Sequence, residues 1–397
     1  MKLRVAVALV LILAAGAAWN YLRPIPAVAA TGALPAKETI QGTAPALPWP
    51  ARGSAALSVS GLGFIATSGN EKPIPAASVV KVMTALLILE DKPLKVNEDG
   101  PSIVVSDADV QSYQTDLAEK QSVVVVQPGE QLTELQALQG MLIPSANNFA
   151  EMLARWDAGS IDAFVAKMNA RAVALHMTHT TFADTSGASA ATVSTPSDLI
   201  ALGIVAMKQD AFAQIVGMGQ AELPLAGTVY NVDAALGQSG IIGIKTGSGL
   251  NLGANFLFAA NATVDGHQIV IYGCVMGQAT LDRAFTAAKV LIGAMQPALH
   301  VRRILEKNET VATYVTPWGE QTDLVASVPV DLVEWPGMVL RQRLDARAIV
   351  VDQPLNAGTV EGSEHVVLGD YQLDVPLVTA NPLFPPGRFW RLTRLSF

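Results

Sequence analysis

The pattern of apolar residues changes near residue 297, and this change most limits the folds that the chain can adopt. From about residue 51, helical stretches alternate with β-rich runs. After residue 297 only short β-rich runs remain, separated by turns such as Pro317-Trp318-Gly319, a pattern typical of an all-β domain. We therefore predict a mixed α/β (α+β) domain over 51–296 and a small β-sandwich-like domain over 297–397. A chain of 397 residues is long enough for both.

The first residues indicate export across a membrane. Lys2 and Arg4 precede residues 5–19, which are uncharged and mostly apolar, as in an export signal or a short membrane span. We predict that residues 1–23 form an uncleaved membrane anchor, with a cleaved signal peptide as the alternative. Either interpretation places the rest of the protein outside the cytoplasm, at the cell surface or the periplasmic face, or secreted if cleavage occurs.

Two further segments carry little periodic signal. Residues 24–50 are rich in Ala and Pro and are predicted to be a linker. Residues 388–395 mix aromatic and basic side chains, which fits either a membrane-surface helix or a last β-strand that packs Trp390 and Leu392. We expect the strand, so membrane attachment is assigned to the N-terminus.

Composition argues against several classes of function. The net charge is −8 and long basic runs are missing, so nucleic acid is not expected as a partner. The single cysteine, Cys274, excludes an intramolecular disulfide, and its apolar neighbours predict a buried structural thiol. His176 and His179 have no carboxylate partner at metal-ligand spacing. No metal or cofactor is predicted.

Three short motifs have side chains suited to chemistry, and the first is Ser78-Val79-Val80-Lys81. The run that follows is helical in composition, and residues three apart lie on one helix face, so the hydroxyl and the amine can meet. A lysine between Val80 and Val82 can be desolvated enough to accept a proton from serine. The alternative is a helix-capping serine beside an unrelated surface lysine.

The second motif is Ser145-Ala146-Asn147, before a helix whose start we predict from an Asn148 and Glu151 capping box. In an extended loop, positions 145 and 147 point to the same side. The hydroxyl can relay a proton, and the amide can hold a peptide group of a substrate. The alternative is a loop whose polar side chains bond only their own backbone.

The third motif, Lys245-Thr246-Gly247, ends the apolar run 241–244, which is typical of a strand that finishes at a site. Lys245 supplies positive potential and Thr246 a hydroxyl for a carboxylate, and Gly247 leaves room for a substrate backbone. A plain strand end followed by a polar turn remains the alternative.

In order and spacing, the three motifs resemble those of the penicillin-recognising serine enzymes, and most of all the D-alanyl-D-alanine carboxypeptidases, the low-molecular-weight penicillin-binding proteins. Further stretches are similar to this family: 129–133, 140–148, 164–169, 181–187 and 194–199. The resemblance covers about 51–290. It implies the penicillin-binding/β-lactamase-like serine transpeptidase fold, with an antiparallel sheet flanked by helices.

The resemblance also implies an activity and catalytic residues. Members of the family remove the terminal D-Ala from peptidoglycan stem pentapeptides through an acyl-enzyme. Carried over to this chain, Ser78 is the nucleophile and Lys81 is its base. Ser145 helps to pass the proton to the leaving amine, and Asn147 binds the substrate amide.

The same resemblance implies the substrate-binding residues. Lys245 and Thr246 recognise the terminal carboxylate of D-Ala-D-Ala, and Gly247 belongs to the same strand. The backbone N–H groups of Ser78 and Ser248 form the oxyanion hole. β-Lactam antibiotics are implied as covalent inhibitors.

Two other functions are compatible with part of this pattern. A class A β-lactamase shares the three motif types but needs a glutamate on a loop between the second and third to activate water. The chain has no glutamate between Glu151 and Glu222, and Glu222 lies too near the third motif. A non-catalytic cell-wall-binding protein with the same fold would not need every motif, so the presence of all three motifs argues against this class. We therefore expect a serine-type D-Ala-D-Ala carboxypeptidase.

Overall fold

The computed structural model describes residues 2–69, 71–249 and 251–394. The chain divides into two compact units, Ala44–His300 and a second that combines Met1–Thr43 with Val301–Phe397. The helices are α1 Lys2–Leu22, α2 Lys81–Asp91, α3 Asp107–Ala118, α4 Glu134–Leu142, α5 Asn147–Ala158, α6 Ile161–Ala174, α7 Pro196–Ala206, α8 Asp210–Val216, α9 Leu281–Met295 and α10 Arg388–Thr393. The strands are β1 Ala30–Gly32, β2 Lys37–Thr39, β3 Ser54–Val59, β4 Gly63–Thr67, β5 Ile74–Pro75, β6 Ser102–Val104, β7 Gln131–Thr133, β8 Val193–Ser194, β9 Gln220–Leu223, β10 Gly227–Tyr230, β11 Ile241–Gly249, β12 Gly253–Val264, β13 His267–Gln278, β14 His300–Leu305, β15 Thr310–Val315, β16 Gln321–Ala326, β17 Val330–Glu334, β18 Val339–Ala346, β19 Val360–Leu368 and β20 Tyr371–Thr379.

An antiparallel sheet in the order β11-β12-β13-β3-β4 forms one layer of the unit Ala44–His300. Residues 255–260 of β12 are all buried. Because successive residues of a strand point to opposite faces, both faces of the sheet must be covered there. Helices α7 and α9 both pack against this sheet.

Helix α2 is the buried centre of the helical part of this unit. Its residues 81–89 are all buried, and it packs against α4, α5, α6 and α7. A helix that is buried on every side is held firmly by its neighbours. Ser78 lies in the 3₁₀ turn Ala77–Val80, directly before this helix. The turn also packs against β11 and β12, so Ser78 is held between the helix and the sheet.

The second unit is built on a seven-stranded antiparallel sheet in the order β1-β15-β16-β20-β19-β18-β2, with a separate pair β14 and β17. Along β19, buried and less buried residues alternate. This period of two accounts for the β-rich pattern that the sequence shows after residue 297.

Part of the segment expected to be a linker, 24–50, is ordered as strand. β1 pairs with β15, with Ala30 opposite Tyr314, and β2 pairs with β18, with Glu38 opposite Leu340. These strands lie at the two edges of the seven-stranded sheet. They have three residues each, too few to show a period of two, and backbone hydrogen bonds suffice for edge pairing.

The prediction of a last strand over 388–395 is wrong for the described residues. Residues 388–393 form the helix α10, and Leu395 lies outside the described residues. Trp390 packs edge-on against Trp318, with ring centroids 5.3 Å apart. A run this short carries too little periodicity to separate a helix from a strand.

Helix α1 is long and apolar enough to cross a membrane, with 20 residues over Leu3–Leu22 and a mean hydropathy of 2.1. Its carboxyl end contacts the C-terminal segment. The buried Arg394 guanidinium donates to the backbone oxygens of Asn20 and Pro24, both at 3.0 Å. These bonds satisfy carbonyls at a helix end, where intrahelical partners are missing.

Glu134, the first residue of α4, yields a prediction about stability. It is fully buried, and neither carboxylate oxygen has a hydrogen-bond partner among the described residues. Burial raises the pKa of Glu134 from 4.5 to about 7. Between these pH values the unfolded state is ionised while the folded state keeps its proton, so stability falls as the pH rises through this window, whereas below pH 4.5 both states are neutral and above pH 7 both are ionised. We expect Glu134→Gln to reduce the loss of unfolding free energy between pH 5 and pH 8.5 by about 2 kcal/mol.

Urea unfolding of parent and variant at both pH values measures this difference. Glu130→Gln is a matched control, because the Glu130 carboxylate accepts a hydrogen bond from the backbone of Gln127. An unchanged pH dependence in Glu134→Gln would show that this carboxyl titrates normally.

Candidate active site

Ser78 lies in the 3₁₀ turn Ala77–Val80, directly before α2, and it is half-buried. Ala77 has a φ of +48°, a left-handed conformation that costs energy for a residue with a side chain. This strained residue turns the chain immediately before Ser78. The first turn of α2 also directs backbone N–H groups towards this end of the helix.

Lys81 is fully buried, and its amine lies among three oxygen atoms. Its Nζ is 2.9 Å from Ser78 Oγ, 2.6 Å from Asn147 Oδ1 and 2.9 Å from the backbone oxygen of Ser186. The oxygens of Asn147 and Ser186 can only accept hydrogen bonds, whereas the Ser78 hydroxyl can also donate. A neutral amine can therefore donate twice and present its lone pair to the Ser78 proton.

The surroundings of Lys81 favour this neutral form. Burial, and next the positive charge of Lys245, hold the pKa of Lys81 well below its usual value of 10.5, while Asp184 and Asp116 partly oppose them. Desolvation penalises an ammonium because the charged form loses its hydration. The amine can thus act as a base at a lower pH than an exposed lysine can.

The second motif is placed differently from the extended loop that we expected. Ser145 has a φ of +66°, in the left-handed region, and α5 begins at Asn147. The capping-box prediction is wrong, because the Asn148 side chain bonds both backbone groups of Val124 and the Glu151 carboxylate accepts from Ser112. The sequence pattern could not reveal these partners, since both lie far away along the chain.

The third motif lies on β11, beside the turn that carries Ser78. A Cβ atom on Gly247 would be 2.9 Å from the backbone oxygen of Ala76 and 3.0 Å from the backbone nitrogen of Val79. Only a glycine allows the strand to approach this closely. Thr246 is buried, whereas Ser248, the residue after the motif, is exposed and lines a cavity of about 650 Å³ with Arg52 and other residues.

Lys245 is almost completely buried, with Asp233 as the acidic group that acts on it. Burial lowers the pKa of Lys245 to about 7, against the opposing effect of the Asp233 carboxylate. Burial likewise raises the pKa of Asp233 to about 6. A small change in the surroundings of Lys245, such as a bound carboxylate, is then enough to decide its charge near neutral pH.

A loop over 184–188 also contributes to the site, although no catalytic or binding role was predicted for it from the sequence. The Asp184 carboxylate accepts from the backbone N–H of Gly187 at 2.7 Å and of Ala188 at 2.8 Å, and from the Ser186 hydroxyl at 2.9 Å. These bonds hold the loop so that the Ser186 backbone oxygen meets Lys81. Two sequence signals were present here: the family-like stretch 181–187, and an aspartate three residues before a glycine, which is typical of a turn.

The model of the D-alanyl-D-alanine carboxypeptidase family matches residues 61–280, more than half of the chain and all three motifs. The chain belongs to this family. It is therefore a serine peptidase and a hydrolase of the D-alanyl-D-alanine carboxypeptidase class. The class expected from the sequence is confirmed, and the match gives no support to a β-lactamase or to a non-catalytic wall-binding protein.

Individual relatives agree with this assignment. D-alanyl-D-alanine carboxypeptidase DacB2 of Mycobacterium tuberculosis is 35% identical over 225 residues, which cover 53% of this chain and 72% of that protein. The D-alanyl-D-alanine carboxypeptidase of Streptomyces sp. strain K15 is 29% identical over 46% of this chain and 67% of its own.

Solved structures confirm the predicted fold class. The Streptomyces K15 DD-transpeptidase aligns with a TM-score of 0.55 at 25% identity, over 64% of this chain and 99% of that one. Penicillin-binding protein 5 from Haemophilus influenzae aligns with a TM-score of 0.61 at 17% identity, over 87% of this chain and 100% of its own. At 17% identity, the likeness to penicillin-binding protein 5 shows the fold alone.

Proposed function

We propose that this chain removes the terminal D-Ala from peptidoglycan stem pentapeptides through an acyl-enzyme on Ser78, with Lys81 as the base. One observation carries the proposal. The Lys81 amine is 2.9 Å from Ser78 Oγ, while two acceptor oxygens occupy its N–H groups. Membership of the family supports the substrate class.

In the acylation step, Ser78 Oγ bonds to the carbonyl carbon of the penultimate D-Ala, and its proton passes to Lys81. The carbonyl oxygen becomes an oxyanion, for which the backbone N–H groups of Ser78 and Ser248 are the proposed donors. In other acyl-transfer enzymes one such donor lowers the barrier by about 3 kcal/mol.

Collapse of this intermediate breaks the bond to the nitrogen of the leaving D-Ala, which must gain a proton. We assign its delivery to Ser145, which relays the proton from Lys81, while the Asn147 amide binds the peptide group of the substrate. Water then attacks the ester on Ser78 and frees the shortened peptide. The contact between Asn147 and Lys81 supports a shared role in these transfers.

Lys245 and Thr246 are the proposed partners of the substrate carboxylate, with Gly247 allowing the approach to the turn of Ser78. A carboxylate favours the charged form of a nearby lysine, so the substrate itself would keep Lys245 protonated. β-Lactam antibiotics carry an amide and a carboxylate, and we propose that they acylate Ser78 through the same contacts.

The pH dependence of D-Ala release follows from the two lysines. In the free enzyme Lys81 must be neutral and Lys245 charged, so kcat/KM should rise with pH as Lys81 loses its proton. It should fall above about pH 7, where Lys245 loses its proton. An arginine stays charged throughout this range, so Lys245→Arg should lose the alkaline limb below pH 10.

Rates of D-Ala release from a pentapeptide between pH 5 and pH 10 measure both limbs. The acidic limb of Lys245→Arg is the internal control and should remain close to that of the parent. An alkaline limb at the same pH in parent and variant would remove Lys245 from the assignment.

We also propose that α1 is retained as a membrane anchor, with the enzyme on the extracytoplasmic side. The bond from Arg394 to the Asn20 backbone oxygen in α1 supports retention, because cleavage before the linker would remove this partner of the guanidinium. The intact mass of protein extracted from membranes tests this point. A mass that lacks the first two dozen or so residues would overturn it.

The function itself is tested on the full chain in detergent, with a D-Ala-D-Ala pentapeptide and a fluorescent penicillin in separate incubations. We expect free D-Ala, and a fluorescent label that leaves the protein slowly. Label without D-Ala release would point to a penicillin-binding protein without peptidase activity. Rapid destruction of penicillin without D-Ala release would favour a β-lactamase.

A further inference from the structure

A fully buried asparagine on β12 links residues 75–80, which carry Ser78 and are here called the nucleophile turn, to the sheet. The Asn255 amide nitrogen donates to the backbone oxygens of Pro75 at 2.9 Å and of Ala76 at 3.0 Å, and its oxygen accepts from the backbone N–H of Gly277 at 2.8 Å. In the sheet register, Asn255 lies directly opposite Gly247 on β11.

An irregularity in the sheet makes the Gly277 N–H available for its bond to the Asn255 side-chain oxygen. The register between β12 and β13 shifts between Ala254 and Phe256, opposite Gly277, whose φ is +73°. A β-bulge of this kind leaves a backbone group outside the regular ladder and redirects a side chain, often near a functional site. Asn255 accepts from the freed N–H and points its two donor hydrogens at the nucleophile turn.

The three bonds use a carboxamide, a group that only asparagine and glutamine carry. An asparagine amide offers two donor hydrogens and an acceptor oxygen at once. An aspartate keeps the acceptor but loses the donors, and an alanine loses both. A buried site with two carbonyls and one N–H to satisfy therefore selects an amide.

Asn255 contacts two backbone segments, residues 75–76 and the strand β11, and each segment leads to one of the two proposed oxyanion donors. Ala76 precedes Ser78 by two residues, and Gly247 is followed directly by Ser248. The Ala76 backbone oxygen that receives the bond from Asn255 also lies against Gly247. The side chain thus holds the turn and the two strands at one fixed spacing.

We propose that Asn255 is a positioning residue that sets the separation between the backbone N–H groups of Ser78 and Ser248. This inference rests on the proposed function of these groups as the oxyanion hole. Asn255 is fully buried, so it acts through the backbone and touches no substrate. Its loss should affect steps that form an oxyanion and leave the initial binding of the carboxylate unchanged.

The test compares Asn255→Asp and Asn255→Ala with the parent, using the full chain in detergent and a fluorescent penicillin. Stopped-flow labelling over a range of penicillin concentrations separates the half-saturating concentration from the maximal acylation rate. We expect the maximal rate to fall about 100-fold, as for a small misplacement of catalytic groups, with the half-saturating concentration within about threefold of the parent. The acyl-enzyme should also persist longer, because its hydrolysis uses the same donors.

Asn261→Asp is the matched control, since Asn261 lies exposed on the same strand. It should label at the parental rate. Exhaustive labelling counts the competent molecules in each preparation, so partial unfolding cannot imitate a slower rate. If the aspartate variant does not fold, the alanine variant decides.

A variant with a lower melting temperature but the parental acylation and deacylation rates per competent molecule would overturn the inference and leave Asn255 a purely structural role. A larger half-saturating concentration at an unchanged maximal rate would also overturn it. Failure of the proposed function is a separate result, because then the parent itself would release no D-Ala from the pentapeptide, whatever the labelling rates of the variants.

Discussion

Lys81→Ala is expected to lower the rate at which a fluorescent penicillin labels Ser78 by about 10⁴-fold, the upper end of what general base catalysis contributes. The amine is 2.9 Å from Ser78 Oγ and fully buried, and burial holds its pKa well below 10.5. No other described residue bonds the Ser78 hydroxyl through its side chain. Without the amine, the proton of serine has no acceptor within reach.

The measurement is the labelling rate per folded molecule, with the folded fraction taken from a thermal melt. Lys72→Ala is the matched control, because Lys72 is exposed and precedes Ser78 by only six residues. It should label like the parent. Labelling of Lys81→Ala at the parental rate would remove this lysine from the mechanism.

Gly187→Ala should produce the second large effect, the loss of both acylation and stability. A Cβ atom at this position would lie 1.9 Å from the Ala77 backbone oxygen and 2.9 Å from the Ser78 nitrogen, at a φ of +83°. Both contacts are with backbone, so the nucleophile turn itself must move. We expect unfolding free energy to fall by about 3 kcal/mol and acylation by about 100-fold.

A substitution at a second glycine, Gly159, measures the cost of a positive φ without the steric overlap expected at Gly187. Gly159 has a φ of +77°, but a Cβ atom there would meet nothing within 4 Å. Gly159→Ala should therefore cost only the conformational penalty, about 1 kcal/mol, and leave acylation unchanged. Equal effects of the two substitutions in urea unfolding and labelling would contradict close packing at Gly187.

The sequence was informative wherever the necessary contacts are local. The spacing of Ser78 and Lys81 on one helix already placed a hydroxyl beside an amine, and the apolar run before Lys245 already indicated a strand. Family resemblance then added the order of the motifs. The structure brings Ser78, Lys81 and Asn147 into one hydrogen-bonded group.

The sequence could not reveal what distant parts of the chain supply. The Ser186 oxygen reaches Lys81 across 105 positions, and Asn255 reaches Pro75 across 180. Neither residue lies in a motif whose chemistry can be read locally. The edge strands and the helix α10 were missed for a related reason, because their short runs take their conformation from the neighbours that they contact.

The site of acylation is the most direct test of the account. The full chain is incubated with penicillin, digested, and analysed by mass spectrometry, with Ser78→Ala treated in parallel. We predict one adduct, on the peptide that contains Ser78, and neither an adduct nor D-Ala release in Ser78→Ala. An adduct on another side chain, or D-Ala release by Ser78→Ala at the parental rate, would contradict the account.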